Sequence, residues 1–463
     1  MQIYNTMTRK KEELVPLVPG QISMYACGPT VYNYFHIGNA RPFIVFDTLR
    51  RYLEYRGYNV RFVQNFTDID DKMIRRANEE GTTVKELGER FIKEYYQDAD
   101  ALGVRRATNN PRATEHIGEI IALVSTLIEK GHAYATPEGD VYFSVRSFPG
   151  YGKLSGQNID DLENGARVDP DEAKRDPLDF ALWKAEKPGE PSWESPWGKG
   201  RPGWHIECSA MSMSILGETF DIHGGGQDLI FPHHENEIAQ SEAATGHPFA
   251  RYWMHNGYIN VDNQKMSKSL NNFFTVRDIA KEFDLEAVRM FMLAVQYRNP
   301  VNFSRDMILQ AQSALERLRT AKERLAEAKF APAETAEDAA FVAQLEEFKS
   351  RFNDAMDDDL NTADAIGVLF DFARAANTFV TEPRGKAAVE AGFKLFSELT
   401  GVLGLLTQQK AEEFPQEALA LLEERQAVRK AKNFARADEI RDALKNMGFT
   451  VEDTANGPKL KKL

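Results

Sequence analysis

The sequence predicts an α/β protein, in which a parallel-sheet domain is interrupted by an insertion and followed by helical domains. Three observations lead to this prediction. A strand–helix–strand pattern lies within the first 66 residues, a helix and a hairpin pattern begin near residue 112, and long helical patterns replace strands after about residue 305. At roughly 100–200 residues per domain, the 463 residues suffice for about three domains with separate cores.

The composition is that of a globular protein without membrane spans. Apolar residues make up 42% and charged residues 27% of the chain, which excludes a disordered chain. No apolar run approaches the roughly 18 residues of a bilayer span, and residues 1–13 lack the apolar core of a signal peptide. Two cysteines cannot build a disulfide scaffold, so we expect a reducing, cytoplasmic location.

The first elements form a βαβ unit. Ile22, Met24 and Ala26 alternate with less apolar residues, which is typical of a strand. A helical pattern follows and is expected to stop before Gly57, and Val60–Phe66 reads as a second strand. Two strands joined by a helix run parallel, so we expect ligands at the carboxyl ends of the strands.

The insertion comes next in the chain. Residues 112–132 show a helical pattern, and the segment AYATPEGDVYFSV that follows is hairpin-like, which does not fit a simple α/β repeat. Strand patterns resume at TFDIHGGG and MHNGYINV, before the helices begin. The predicted domains are a sheet domain from 1–111 and 201–305, an inserted subdomain 112–200, a helical domain 306–406 and a terminal module 407–463.

The terminal module is the basic part of an acidic protein. The net charge of the chain is 57 − 70 = −13, which argues against a surface coated with nucleic acid. Residues 425–463 hold ten Lys or Arg and five Asp or Glu, a net charge of +5, so the preceding residues carry −18. A local basic surface is therefore available for an anionic partner.

Histidines are concentrated in one stretch. Six of the nine lie between residues 205 and 255, and buried imidazoles at such density are typical of a site because they need polar partners. In FPHHENE, residues 231–237, Pro232 suits the first turn of a helix, which would place His233 and Glu237 on one face. This pair can hold a metal ion, but the pattern is not the His-Glu-x-x-His of metalloproteases.

The two cysteines are candidates to complete such a metal site. Cys27 ends the first predicted strand, and Cys208 lies in WHIEC. If both converge on His233 and Glu237, the resulting Cys₂HisGlu set suits a tetrahedral zinc shell. Each cysteine can equally be a small buried hydrophobe, and a separation of 208 − 27 = 181 residues leaves both interpretations open.

Two short motifs indicate a nucleotide site. The sequence HIGN, residues 36–39, opens the first predicted helix, whose amides can hold a phosphate. The sequence KMSKS, residues 265–269, is a polar segment with two lysines. No P-loop pattern is present, and the run Gly224–Gly226 lacks the spacing of a dinucleotide fingerprint. Each motif alone is weak, whereas their order and separation are informative.

Together these motifs resemble a class I aminoacyl-tRNA synthetase, and most closely the cysteinyl-tRNA synthetase family. The resemblance runs from MYACGPTVY through NFTDIDDK, HGGGQDLIFPHHENE, KMSKSLNNFFTVRDI and AMDDDLNTADAI to NFARADEIRDAL. It implies a Rossmann-type catalytic domain with an inserted connective subdomain, a stem-contact region at about 265–305, a helical bundle and a C-terminal anticodon-binding domain. One departure is Asn39, which replaces the second histidine of the family's HIGH motif.

The resemblance also implies an activity and its residues. A monomer would activate L-cysteine with ATP and Mg²⁺ to cysteinyl-adenylate, and then transfer cysteine to the 3′-terminal ribose of tRNA(Cys). The implied catalytic residues are Lys268, Lys265 and His36. The implied ATP-binding residues are Thr30, His36, Gly38, Asn39, Gly226, Asp228 and Lys268. Thr67, Trp204 and His223 would line the cysteine pocket, and Cys27, Cys208, His233 and Glu237 would bind one zinc ion.

Two alternatives compete with this interpretation. The first is an adenylate-forming cysteine ligase that acts on a small amine, as in mycothiol synthesis, but a small acceptor needs no basic RNA-reading module. The second is a non-catalytic zinc-binding or RNA-binding relative, which the intact motifs disfavour. The zinc assignment also explains selectivity, because an apolar pocket separates near-isosteres such as cysteine and serine only by about 10–200-fold. A thiolate binds zinc strongly, whereas a protonated hydroxyl is a poor ligand.

Overall fold

The computed structural model describes residues 1–158, 174–261, 264–265, 274–407, 415–454 and 457–462, which divide into two units. The first unit comprises Met1–Leu315, Arg351–Gly367 and Gly401–Leu405. The second comprises Glu316–Ser350, Val368–Thr400 and Leu406–Leu463. Within these described residues, no helix is both long enough and apolar enough to cross a lipid bilayer.

The bounds of the regular elements are as follows. The strands are β1 (Gln2–Asn5), β2 (Lys10–Glu13), β3 (Gln21–Ala26), β4 (Asn59–Gln64), β5 (Ala133–Ala135), β6 (Val141–Phe143), β7 (Phe180–Ala185), β8 (Gly200–Pro202), β9 (Phe220–Gly226), β10 (Ala250–Asn256), β11 (Ile259–Val261), β12 (Gln264–Lys265), β13 (Val301–Phe303), β14 (Phe449–Thr454) and β15 (Gly457–Lys462). The helices are α1 (Ile37–Tyr55), α2 (Asp71–Glu80), α3 (Val84–Ala101), α4 (Ile117–Glu129), α5 (Trp204–Leu216), α6 (Glu235–Thr245), α7 (Val276–Ile279), α8 (Leu285–Leu293), α9 (Arg305–Ala326), α10 (Ala336–Asp357), α11 (Thr362–Phe379), α12 (Lys386–Val402), α13 (Gln416–Lys430) and α14 (Phe434–Asn446).

A four-stranded parallel sheet forms the centre of the first unit, as the sequence predicts. Its strand order is β10–β9–β3–β4, and Met24 in β3 lies between Ile222 of β9 and Phe62 of β4. These three side chains are buried. Because the strands run in one direction, the residues that follow β3, β4, β9 and β10 all emerge at the same edge of the sheet.

Helix α1 connects the neighbouring strands β3 and β4 and begins earlier than its apolar pattern indicates. His36 is its N-cap residue, so the predicted HIGN motif supplies the cap and the first turn. The chain leaves the helix through Gly57, whose φ of 88° lies in the left-handed region that favours glycine. The predicted βαβ unit is therefore confirmed, with the motif at the carboxyl edge of the sheet.

The inserted segment contains the predicted helix and hairpin. Strands β5 to β8 form an antiparallel sheet in chain order, and Ala133 pairs with Phe143. The helix α4 begins at Ile117 and not at residue 112. The physical reason is that residues 109–113 bond to the strand β4 and its extension, through Gln64 N–H to Asn109 O (3.0 Å) and Ala113 N–H to Phe66 O (3.2 Å).

The second unit is helical, with a small terminal hairpin. Its helices share a cluster of aromatic rings, Phe341, Phe348, Phe372, Phe379 and Phe396. At the C-terminus, α13, α14 and the antiparallel pair β14–β15 enclose a core that includes Ile440, Leu444 and Phe449. Phe449 is therefore a core residue, while the side chain of Phe434 is 62% exposed.

Candidate functional site

The four predicted metal ligands converge beside the parallel sheet. One ligand atom from each of Cys27, Cys208, His233 and Glu237 lies within 4.8 Å of the others. The Sγ atoms of the two cysteines are 4.0 Å apart, and His233 Nε2 is 3.0 Å from Glu237 Oε1. Residues separated by 181 positions in the chain are thus brought into one site. Cys208, His233 and Glu237 are buried, and Cys27 is half-buried.

Each ligand is positioned by a different element. Cys27 directly follows β3, and Cys208 lies in the first half of α5. His233 lies in the π-helical segment Ile230–His234, which runs directly into α6, the helix that carries Glu237. The expectation that Pro232 suits the first turn of this helix is confirmed, because Phe231 is the one residue of Ile230–His234 whose backbone angles are not helical. Phe231 is extended, as residues before proline prefer, so the helical conformation begins at Pro232 and continues into α6, which brings His233 and Glu237 together.

A second set of possible ligands overlaps the first. Cys27, His223, His234 and Glu237 also have ligand atoms within 4.8 Å of one another. His223 Nε2 is 2.8 Å from Glu237 Oε2, and His234 Nε2 is 3.3 Å from Cys27 Sγ. The two sets share a thiol and a carboxylate. The site is therefore a buried cluster with more donors than one tetrahedral ion requires.

The electrostatics of the cluster favour a cation. Burial disfavours the charge on Glu237, but His223 and His233 outweigh it and lower the pKa of this carboxyl to about 2. The hydrogen bond with Cys27 lowers the pKa of the Cys208 thiol to about 6. Burial opposes charge on His233 as well, yet Glu237 raises its pKa to about 10. A metal ion that binds here therefore replaces a proton on His233.

The predicted cysteine-pocket residues surround this cluster. The indole of Trp204 stacks on the His233 ring, with centroids 4.2 Å apart, and is 41% exposed. His223 is buried in β9 and contacts Glu237. Thr67 is buried and follows β4, where it forms a bridge with Thr30. Trp204 and His223 thus contact members of the cluster directly, and the role of all three residues in binding cysteine stays a prediction.

The described residues of the predicted nucleotide site, which exclude Lys268, lie at or after the carboxyl ends of the strands β3 and β9. His36 pairs with Thr275 in an isolated bridge, which joins the start of α1 to the chain just after the lysine motif. Gly38 and Asn39 lie in the first turn of α1. Gly226 is the last residue of β9, and a Cβ atom there would lie 2.3 Å from the exposed Asp228 carboxylate.

The lysine motif is only partly described. Lys265 is the second residue of β12, which pairs with β11. Lys268 lies outside the described residues, so its role stays a prediction.

The structure adds residues to which the sequence analysis gave no role. Glu207 is fully buried and accepts a hydrogen bond from Thr67 Oγ1 (3.0 Å), and burial raises its pKa well above the usual range. Asn65 accepts from the Gly28 amide (2.9 Å). Glu207 stands three residues after Trp204 on one helix, and this spacing was the available signal.

Histidines form an outer layer around the ligands. His205 Nδ1 lies 2.9 Å from His233 Nδ1, and His255 Nε2 lies 2.8 Å from His234 Nδ1. The other ring nitrogen of His255 bonds to Thr6 Oγ1 (2.8 Å). Of the six clustered histidines, five thus take part in this network, while His247 is 64% exposed. Such outer partners fix the orientation of metal-binding imidazoles.

Comparisons with known proteins agree with this architecture. The model of the tRNA synthetases class I (C) catalytic domain matches residues 13–313, the DALR domain matches residues 351–407, and the cysteinyl-tRNA ligase anticodon binding domain matches residues 411–457. A curated cysteine–tRNA ligase from Caldicellulosiruptor saccharolyticus is 59% identical over 466 residues, covering 100% of both chains.

Solved structures show the same fold at low sequence identity. Methionyl-tRNA synthetase from Mycobacterium tuberculosis, in complex with methionyl-adenylate, matches with a TM-score of 0.57 and 16% identity, over 83% of this chain and 89% of that chain. The LeuRS of Agrobacterium radiobacter K84, in a ternary complex with tRNA, matches with a TM-score of 0.59 and 14% identity, over 85% of each chain.

The parallel sheet with its insertion, the helical domains and these matches define a class I aminoacyl-tRNA synthetase. The full-length identity and the anticodon-binding domain narrow this class further. The chain belongs to the cysteine–tRNA ligase family.

Proposed function

We propose that the protein, acting as a monomer, joins L-cysteine to tRNA(Cys) in two steps. The cysteine carboxylate attacks the α-phosphorus of ATP to give cysteinyl-adenylate and pyrophosphate. A 3′-terminal ribose hydroxyl of the tRNA then attacks the carbonyl carbon and releases AMP. The observation that carries this proposal is the buried cluster of two thiols, imidazoles and a carboxylate, on which the indole of Trp204 stacks through His233.

The cluster of thiol, imidazole and carboxylate ligands fits a zinc ion. With bonds of about 2.0–2.3 Å, the ligand atoms around zinc lie about 3.3–3.8 Å apart, and the Cys27 Sγ–Glu237 Oε1 distance is 3.6 Å. Cys27, Cys208, His233 and Glu237 would hold it, because two thiols suit zinc. His205 engages His233 at Nδ1, so the Nε2 atom faces the other ligands and lies 3.0 Å from Glu237 Oε1. When bound, zinc would accept the substrate thiol as a thiolate, which a serine hydroxyl cannot match.

The residues of the chain supply positioning and charge for adenylate formation. The first-turn amides of α1 and the His36 and Asn39 side chains would meet the triphosphate, which Mg²⁺ accompanies. The Asn39 amide donates a hydrogen bond without carrying charge. Asp228 would accept the ribose hydroxyls, and Gly226 would leave room for the nucleoside. Lys268, supported by Lys265, would stabilise charge on the pentavalent phosphorus.

The acceptor is tRNA and not a small amine. A compact C-terminal module with its own core, in a segment of net charge +5, serves no purpose for a small acceptor. The match of this segment to an anticodon-binding domain supports the same choice.

Charging of tRNA(Cys) with labelled cysteine tests the proposal. We expect ATP-dependent attachment to the tRNA and none to a tRNA whose terminal ribose has been oxidised by periodate. Cysteine transfer to a cysteine-accepting sugar amine, at a rate above that to tRNA, would replace this proposal with the small-amine alternative.

The C-terminal module should be needed for tRNA and not for cysteine activation. Deleting residues 408–463 removes a core drawn from residues 418–460, so the catalytic unit keeps its own core. We expect cysteine-dependent ATP–pyrophosphate exchange within about 3-fold of the full chain, while transfer to tRNA falls by about 100-fold or more through lost phosphate contacts. Transfer assays at several salt concentrations provide the measurement. If the truncated protein charged tRNA at the normal rate, the C-terminal module would have no role in tRNA binding.

A further inference from the structure

Glu207 is a buried acid that the metal site does not use. It is 1% exposed and lies on α5, three residues after Trp204 and one before Cys208. A carboxyl group is almost never fully buried unless a partner holds it. The partner here is Thr67, which belongs to the loop after β4 and comes 140 positions earlier in the chain. The acid is therefore bonded to one of the residues predicted to bind cysteine.

The hydrogen bonds of Thr67 define what its hydroxyl can offer. Thr67 Oγ1 donates its one proton to Glu207 Oε2 (3.0 Å). Asn65 Nδ2 donates to Thr67 Oγ1 (3.4 Å). The Gly28 amide donates to Asn65 Oδ1 (2.9 Å) and so fixes the orientation of the Asn65 side chain. A hydroxyl has one proton and two lone pairs. One lone pair of Thr67 therefore remains, and the hydroxyl meets a ligand only as an acceptor.

We propose that Glu207 is a positioning residue that makes Thr67 select the α-ammonium group of the substrate. Glu207 accepts the hydrogen bond of the Thr67 hydroxyl and so orients that hydroxyl. The remaining lone pair of Thr67 Oγ1 then faces the bound cysteine and accepts a hydrogen bond from its ammonium group. This inference rests on the proposed function, in which Thr67 lines the cysteine pocket. The site would then select its substrate by two groups, the thiol and the α-ammonium. A thiol compound that lacks the α-ammonium would receive no binding energy from Thr67.

The test compares cysteine with 3-mercaptopropionate, which keeps the thiol and the carboxylate but lacks the ammonium. Binding of both is measured on the metal-loaded enzyme, with metal content and KM for ATP as checks. Glu207→Met removes the acceptor, and we expect cysteine binding to weaken by about 10- to 100-fold, as for a hydrogen bond to a charged group. Binding of 3-mercaptopropionate should stay within about 3-fold. Glu207→Gln keeps an acceptor oxygen and should bind both compounds within about 3-fold of the parent protein.

Two further variants keep the proposal falsifiable if Glu207→Met does not fold. Glu207→Asp withdraws the acceptor by one methylene and should lose cysteine binding selectively. Thr67→Val should reproduce the selective loss, and combining it with a Glu207 change should add little, since both act through one bond.

An unchanged ratio of cysteine to 3-mercaptopropionate affinity in Glu207→Met and Glu207→Asp would overturn the proposal. So would a loss in Glu207→Gln as large as in Glu207→Met, because the effect would then follow charge and not the acceptor. Failure of the proposed function is distinguishable, since the parent protein itself would then show no cysteine-dependent exchange.

Discussion

Replacing Cys208 with serine should remove the bound metal and cysteine activation together. Cys208 is 2% exposed, and its pKa of about 6 makes it the readier of the two thiols to act as a thiolate. Serine is nearly isosteric, but its hydroxyl stays protonated and is a poor zinc ligand. Mutating a residue that only hydrogen-bonds to a metal ligand typically lowers metal affinity or activity by about 10- to 100-fold. Mutating a ligand itself should lower both by more than that.

Metal content and ATP–pyrophosphate exchange, measured on the same preparation, check this prediction. The parent protein should hold one zinc ion per chain, and Cys208→Ser close to none. Ser214→Ala on the same helix is a matched control, because Ser214 bonds only to the local Met211 carbonyl in the described structure. Full zinc content in Cys208→Ser would show that Cys208 is not a zinc ligand. The zinc ligands would then be the second set, Cys27, His223, His234 and Glu237.

Replacing Lys268 with alanine should slow adenylate formation while cysteine binding stays close to normal. A lysine that acts where charge accumulates in the transition state contributes to turnover far more than to ground-state binding. Removing one such stabilising group typically costs about 10²–10³-fold in rate. The expected result is a loss of that size in the single-turnover rate, with KM for cysteine changed by less than about 3-fold.

Lys281→Ala is the control for Lys268→Ala. Lys281 follows the short helix α7, is 70% exposed and pairs with Asp278, so its removal takes away a surface charge from the same region. A surface pair of this kind contributes little. If Lys268→Ala behaved like this control, the lysine motif would be ordinary solvated surface.

Local sequence patterns predicted the parts of the molecule that depend on neighbours in the chain. The alternation in Gln21–Ala26 gave a strand, and the i,i+4 spacing of His233 and Glu237 gave a real contact. The helical backbone also begins at Pro232, because proline suits the first turn of a helix and the residue before it prefers an extended conformation.

Long-range convergence could not be derived from spacing. No local sequence pattern predicts that Cys27 and Cys208 lie close together. Only the family resemblance predicted this contact, which the structure shows as a distance of 4.0 Å between their Sγ atoms. The bond between Thr67 and Glu207 joins the segment after β4 to α5 across 140 positions of the chain, and no local pattern pairs these two residues. Glu207 stood inside a motif already noted, and its burial is what reveals a role.

The measurement that tests the account most directly is amino-acid-dependent ATP–pyrophosphate exchange, with cysteine and serine compared on the zinc-loaded protein. An apolar pocket would separate the two by about 10–200-fold at most. We expect robust exchange with cysteine. The rate with cysteine should exceed the rate with serine by well more than that range, because the thiol binds the metal and the hydroxyl does not. Exchange that does not depend on cysteine, or a preference that survives removal of the metal, would contradict this expectation.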